Sequence, residues 1–434
     1  MQRLVPSSSH QSQLAINTRI VSTDAGFDLL KNEWVKLHVA CSASVFQSFE
    51  WLKTWWKQYG SSNSRRSLHI IVVERGAHCI AVAPLFIDSN SSILFGTLRQ
   101  LHFIGRQDSD YLDFLILPEE REYAYDCLAA SLRSSSHLWD AITLEDLPES
   151  SITRQALIDR LGSKGWTAEA KVTDDCPQLH LNGSWEEYLQ DLDGNFRRDL
   201  MRRVRGCEKN FSVEFEVLTD PDEVHEAFDD IVRLHQHRWE HSGEPGVFSR
   251  EGFVQLQKEA ILLLAKRGWV RLVFLRIDGK RVAGNYTFLY RNCFSVYLLG
   301  MGDAGEANMY SPGKILHVKS IQFAIDQGCT TYDFLRGVEE IKFQLGGMSH
   351  HNWMVTLYPL NSHSRRTQLK RRFHLLTQSA SRRLAKERFS FRKKVSQHGF
   401  FSRETVKFIV QLPKILFVDG MKKVKDPEKP VYID

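Results

Sequence analysis

A mixed α/β fold made of two similar units, with a basic helical tail, is predicted by three features of this 434-residue sequence. The first is a strand, loop, helix and strand in succession from Cys293 to Gly337. The second is a hairpin pattern that recurs at a constant offset of 202 residues. The third is a segregation of charge: residues 363–434 hold 19 Lys and Arg against 6 Asp and Glu, while the remaining residues hold 38 against 46. A chain of this length exceeds a single core of ~100–200 residues, which agrees with two domains and an appendage.

The strand from Cys293 to Leu299 is expected to put Phe294, Val296 and Leu298 on one face and Ser295 and Tyr297 on the other. A loop follows, Gly300-Met301-Gly302-Asp303-Ala304-Gly305-Glu306. Ser311 is then placed to cap a helix, Pro312 to fill its first turn, and Gly313 to let another group approach the backbone. Ile315, Val318, Ile321 and Ile325 recur at helical spacing, and Gly328 stands where a left-handed stop belongs. The free amides and positive dipole end of such a helix favour an anion, either a pyrophosphate-bearing cofactor or a phosphorylated substrate. The repeated hairpins are Val72–Ala81 and Phe274–Ala283, each read as strand, tight turn and strand.

These elements carry a family resemblance. The strand, loop and helix resemble the core of the GNAT acyltransferase fold. Thr330-Thr331-Tyr332-Asp333-Phe334-Leu335-Arg336-Gly337 and Lys342-Phe343-Gln344-Leu345-Gly346-Gly347 resemble the endings of its CelD-like branch, found beside cellulose and exopolysaccharide genes. They also resemble those of the Fem-type aminoacyltransferases. Phe46-Gln47-Ser48-Phe49-Glu50-Trp51-Leu52, followed by Trp55-Trp56, looks like the helix that opens CelD-like chains. The resemblance spans about residues 20 to 360 and implies tandem GNAT-like domains: an N-terminal tail (1–19), a first unit (20–185), a second unit holding the donor site (186–362) and the basic tail (363–434). In place of the usual (Q/R)-x-x-G-x-(G/A) phosphate loop of GNAT enzymes, this chain has Ser311-Pro312-Gly313.

Chemistry of this kind is attack of an amine, or less often a hydroxyl, on a thioester or ester carbonyl. It needs a proton acceptor, an oxyanion donor and a phosphate anchor, with no metal and no covalent nucleophile. The base candidates are Asp303 and Glu306, and Tyr310 is a candidate donor to the leaving group. Asp333 either points into the cleft or holds Lys342 in an ion pair, and Lys342 itself is a candidate for phosphate or transition-state charge. Ser311, Pro312, Gly313 and Lys314 are the expected contacts to the donor, acyl-CoA. For the acceptor, Arg198 and Arg202 lie one turn apart on a basic helix from Asn195 to Arg205, where Phe196, Leu200, Val204 and Cys207 form the buried stripe. Arg238, Trp239 and Tyr297 complete the substrate-binding set.

Seven dispersed cysteines without a C-x-x-C pair point to reduced thiols, neither a disulfide framework nor a zinc site. His235 and His237 are two apart and diverge on a helix, which argues against a shared metal. The absence of a leader pattern or a long apolar run gives the expectation of a cytoplasmic protein, peripheral to the inner membrane through its tail. Basic amphipathic helices in 363–434 suit anionic lipid ahead of nucleic acid, since no groove-reading motif accompanies them. The reading is thus an acyltransferase acting from acyl-CoA on a cell-envelope or exopolysaccharide precursor. Two alternatives stand beside it: an aminoacyl-tRNA-dependent Fem-like enzyme, and a non-catalytic binding module with a membrane-surface tail.

Overall fold

The computed structural model describes residues 16–92, 96–162 and 165–359. The tail assigned above to 363–434 lies outside them. The chain begins with β1 (Ile16–Val21), α1 (Asp24–Leu29) and α2 (Lys31–Ala40), then α3 (Phe49–Tyr59) and strands β2 (Arg66–Leu68), β3 (Ile70–Arg75), β4 (His78–Ala83), β5 (Leu85–Ser92), β6 (Gly96–Phe103) and β7 (Leu115–Ile116). There follow α4 (Arg121–Ser134), β8 (Ala141–Pro148), α5 (Thr153–Leu157), β9 (Trp166–Asp175) and β10 (Gln178–His180). The second half runs through α6 (Trp185–Asp191), α7 (Gly194–Asn210), β11 (Val213–Leu218), α8 (Pro221–His241), α9 (Phe253–Lys266), β12 (Val270–Ile277), β13 (Lys280–Tyr290) and β14 (Cys293–Met301). It ends with α10 (Pro312–Asp326), β15 (Thr331–Asp333), α11 (Glu340–Gln344) and β16 (His351–Pro359).

Three sheets form among the described residues, in the orders β1-β3-β4-β7, β2-β5-β6-β8-β16-β9 and β10-β15-β14-β13-β12-β11. Pro84 separates β4 from β5, and the chain changes sheet there, as expected of a residue that cannot donate to a ladder. Two strands cross between the halves. β16 inserts between β8 and β9 in a sheet of the first half, and β10 edges the sheet of the second.

The duplicated hairpin extends to its irregularities. Arg75 pairs with His78 and Ile277 with Lys280, so both turns hold two residues. In β4 the register skips Ile80, and in β13 it skips Val282, which stands 202 residues later. A bulge strengthens local twist and bends its strand, so both sheets bend at the same point.

Helix boundaries follow from capping chemistry. Ser48 accepts from the Trp51 amide to start α3, Asp193 from Asn195 and Phe196 to start α7, and Asp220 from Asp222 and Glu223 to start α8. On α7 the buried residues are Leu200, Val204 and Cys207, with Phe196 packed on the same core, as the spacing predicts. On α3, Phe49, Trp51, Leu52, Trp55 and Trp56 are buried, each side chain contributing ~1.5–3 kcal/mol or more by leaving water. Phe46 and Trp51 of the first half meet Phe288 and Tyr297 of the second at ring separations of 5.5 to 6.0 Å, with Phe46–Phe288 at 5.6 Å and Trp51–Tyr297 at 5.5 Å. One apolar cluster therefore runs through both halves, from Val21 to Leu357.

Candidate active site

The parallel strands β14 and β15 pair over three residues only, Cys293–Ser295 against Thr331–Asp333. Beyond Ser295 they part. β15 ends, the chain turns at Phe334, and β14 continues alone to Met301 on that side. The fork opens at the carboxyl ends of the strands, the usual place for a ligand in a sheet with parallel pairing. A cavity of about 740 Å³ occupies it, walled by β14, the start of α10, the Phe334–Lys342 segment and one face of α8.

The wall of β14 carries a bulge. Leu298 pairs with Tyr286 and Val296 with Thr287, so Tyr297 is left without a ladder partner. The simple alternation expected from sequence fails here. Val296 belongs to the core beneath α10, whereas Tyr297 and Leu298 both pack toward the core shared with the first half. Opposite, α8 lies close on β14 because Gly300 has no side chain: a Cβ there would come within 2.6 Å of the His235 amide nitrogen and 2.7 Å of Leu234. That approach sets His235, Arg238 and Trp239 into the cavity wall.

Ser311 does not cap α10. Its backbone is left-handed, with φ 57, and its hydroxyl accepts from Arg203 Nη1 at 3.0 Å. Its carbonyl instead takes the Lys314 and Ile315 amides, at 2.9 and 3.3 Å. Since Pro312 has no N–H, Gly313 retains the first-turn amide that no such bond engages. What approaches Gly313 is the Met301 thioether, which a Cβ would meet at 2.4 Å. Ser311, Pro312, Gly313 and Lys314 nonetheless all line the cavity, as do Arg238, Trp239, Tyr297 and Lys342.

The other sequence candidates lie elsewhere. Asp303 accepts from the Gly305 amide (2.9 Å) and Asn308 Nδ2 (2.6 Å), which hold its carboxyl below the ordinary range, the wrong direction for a base. Glu306 is exposed outside the wall. The Tyr310 hydroxyl accepts from Asn210 at 2.9 Å, and its ring fills the space over Gly206 on α7. Asp333 is buried behind the wall, accepting from the Leu335 amide (2.8 Å), Tyr111 (2.9 Å) and Gln178 (3.1 Å); burial pushes it up to about 7 against those bonds. Arg198 and Arg202 face outward on α7, away from the cavity.

Lys342 is 8% exposed, and its ammonium donates to the Leu335 carbonyl (3.2 Å) and Arg336 carbonyl (2.8 Å) while pairing with Glu339 (3.1 Å). Three donors meet three acceptors. Together with the Asp333 bond to the Leu335 amide, these contacts hold Leu335 at φ 52, a conformation unfavourable for a branched side chain. The aspartate and the lysine thus act as one loop-building device, which presents Phe334 and Arg336 to the cavity.

Sequence reasoning missed the contribution of the first half. The loop Gln107–Tyr111 reaches under the cavity, where Asp108 and Asp110 form part of its wall. Trp51 Nε1 donates to Ser109 Oγ at 2.8 Å and Trp55 Nε1 to Asp108 Oδ2 at 3.0 Å, so the tryptophan-rich helix α3 positions this loop. Asp108 pairs with Arg250, and Asp110 with Arg336, which also reaches Asp146 at 3.4 Å. His317 was likewise unassigned, although it stands four residues past Gly313 and so shares its helix face. Burial and the charges of Lys342 and Arg238 lower its pKa to about 4, so the ring is neutral near pH 7.

The wall holds three carboxylates, Asp108, Asp110 and Glu339, against five cations, Arg238, Arg250, Lys314, Arg336 and Lys342. Three pairs cancel: Arg250 with Asp108, Arg336 with Asp110, and Lys342 with Glu339. Among the described residues Arg238 and Lys314 make no ion pair; their contacts are with the rings of Trp239 and Phe196, at 5.6 Å each. Burial lowers the pKa of Arg238, a cost that an anionic ligand would offset.

Residues 194–342 match the model of the acetyltransferase (GNAT) domain. A search of curated protein sequences returns no match. Among solved structures the chain is similar to FemX, at 12% identity and a TM-score of 0.52, covering 78% of this chain and 96% of that one. It is also similar to the C-terminal domain of a putative lysylphosphatidylglycerol synthetase from Agrobacterium fabrum (12% identity, TM-score 0.47, 80% and 95% covered). A tandem GNAT protein from the clavulanic acid biosynthesis pathway aligns at 10% identity and a TM-score of 0.43, with 80% and 99% covered. At these identities the FemX likeness speaks to the fold.

Proposed function

We propose, from the premise that residues 194–342 form a GNAT acetyltransferase domain and the chain is an N-acyltransferase, that it moves an acyl group from acyl-CoA to an amine of a cell-envelope or exopolysaccharide precursor. The observation that carries this reading is the surplus of two unpaired cations, Arg238 and Lys314, in a cavity that opens where β14 and β15 part. The donor's carbonyl lies beside the Tyr297 bulge, and its phosphates lie toward Arg238, Lys314 and the Gly313 amide. The neutral amine attacks the carbonyl carbon, the C–N bond forms as the C–S bond breaks, CoA leaves as its thiolate, and the proton shed by the nitrogen passes to that thiolate or to water.

No carboxylate in the wall is suited to strong base catalysis. Asp108 and Asp110 are tied to arginines, and Glu339 is held low by the charge of Lys342 against its own burial. The acceptor amine therefore reaches the site already neutral, or loses its proton to water. Fixed donors and the exclusion of solvent supply the remaining assistance.

One observation favours an aminoacyl-tRNA donor as a second reading. The first turn of α10 offers a pyrophosphate one amide, Gly313, since Ser311 occupies the next two. Calorimetric titration of the full-length protein with a panel of acyl-CoAs, and separately with aminoacyl-tRNAs, tests both. Micromolar binding of an acyl-CoA, lost in Arg238→Ala, supports the first reading. Binding confined to the charged tRNAs would replace it with the second.

A further inference from the structure

On α7 the exposed residues Arg198, Arg202, Arg205 and Lys209 recur at intervals of four, three and four. At 3.6 residues per turn they fall within about 60° of arc and span about 16 Å of helix. The buried stripe of Leu200, Val204 and Cys207 lies on the opposite side. α7 as a whole carries six Arg and Lys against two acidic residues: Glu208 is engaged by Lys319 at 2.7 Å, and Asp199 pairs with Arg202 at 2.6 Å and Arg203 at 2.7 Å, which leaves Arg198, Arg205 and Lys209 as the stripe's unpaired cations among the described residues. Beside this stripe stands an apolar projection. Met309 is 69% exposed, and its carbonyl accepts from Arg203 of α7 at 3.0 Å. Met309 lies between the cavity-lining residues Asn308 and Ser311.

We propose that this face of the body docks on an anionic lipid surface, with the α7 stripe against the headgroups and Met309 at the acyl boundary. Charge complementarity carries the choice of partner: three unpaired cations in one line, Arg198, Arg205 and Lys209, meet a plane of negative charge, each contributing attraction while the helix keeps its apolar side in the protein core. The apolar projection distinguishes lipid from nucleic acid. Methionine gains by entering the acyl boundary, whereas single strands are held by cations interleaved with stacking rings, and the outward face of α7 carries no aromatic residue. The inference is independent of the identity of the acyl donor.

The test is cosedimentation of the full-length protein with vesicles of phosphatidylcholine alone and of a phosphatidylcholine–phosphatidylglycerol mixture. Wild type should partition onto the mixture, and the triple variant Arg198→Gln, Arg202→Gln, Arg205→Gln should lose about fivefold for each of the unpaired cations Arg198 and Arg205, the equivalent of ~1 kcal/mol each. Met309→Asp should weaken binding without altering the thermal melt, and Lys209→Gln serves if the triple variant misfolds. A triple variant that is folded and partitions like wild type overturns the proposal, leaving attachment to other parts of the chain. Equal binding to neutral vesicles overturns it as well. If duplex RNA displaces wild type from the vesicles and the triple variant loses RNA binding instead, the stripe belongs to nucleic acid.

Discussion

Tyr297, the bulged residue of the second half, donates its hydroxyl to the backbone carbonyl of Asp108 in the first, at 2.7 Å. The same loop receives Arg250 at Asp108 and Arg336 at Asp110, and its Tyr111 donates to Asp333. The floor of the cavity is consequently a joint product of both halves. The first half contributes this loop to the wall of the cavity.

Arg336→Met is expected to destabilise the protein by ~3–5 kcal/mol, since it leaves Asp110 and Asp146 buried without their cation. Urea unfolding followed by circular dichroism measures this. A change below ~1 kcal/mol would mean that water compensates the two carboxylates.

Arg238→Ala should behave in the opposite manner, weakening donor binding by ~10- to 100-fold, the range of a lost charge-assisted hydrogen bond, with no loss of melting temperature. Calorimetry and a thermal scan on the same sample decide it. Unchanged affinity would remove Arg238 from the binding site.

Lys342→Met removes the ammonium that holds Leu335, Arg336 and Glu339 together. The expected result is a loss of ~2 kcal/mol or more in stability, with activity falling as Arg336 is displaced. A variant that melts like wild type yet turns over ~10²-fold more slowly would instead give the lysine a direct part in the chemistry.

Gly300→Ala should cost ~1–3 kcal/mol, because the methyl group meets the backbone of α8 and the helix must move. The displaced helix carries Arg238 and Trp239, so donor affinity should fall together with stability. Equal donor affinity in the folded variant would uncouple the helix position from binding.

His69 gives a clean pH test. It is buried, and burial alone lowers its pKa to about 4 from the ordinary 6.5. Between these values the unfolded chain binds a proton that the folded one does not, so the neutral ring's contribution is complete above pH 6.5 and is lost as pH falls toward 4. His69→Gln should therefore flatten the acid limb of a stability-against-pH curve, by up to about 3 kcal/mol at pH 4 relative to pH 7. An identical limb in the variant would show that the ring is already protonated in the folded state.

Local patterns in the sequence carried the parts of the fold that local physics determines. The stripe on α7 and the repeated hairpin are legible because apolar spacing and turn residues act over a few positions. The start of α10 is legible from Pro312, but its chemistry is not, since Ser311 meets Arg203, more than a hundred residues away. Alternation along β14 fails at Tyr297 because a bulge is decided by its partner strand. The loop from Gln107 to Tyr111 escaped notice for the same reason: each of its ionic partners, Arg250 and Arg336, lies more than a hundred residues along the chain. The lysine of the Lys342–Gly347 motif stands out by type, yet only the fold reveals that its donors are spent on its own loop.

The return of β16 bears on how this protein is made. Its ladder closes the gap between β8 and β9, so a sheet composed mostly of early residues lacks an interior strand until His351–Pro359 has been synthesised. A nascent chain would ordinarily complete its amino-terminal domain first. Here the earlier sheet waits, with two strand edges unpaired, while the later sheet can already assemble from β10 to β15. Translation stalled before residue 351 should therefore yield an intermediate whose second half is formed and whose first half still seeks a strand, exposed to pairing with other chains until its own arrives.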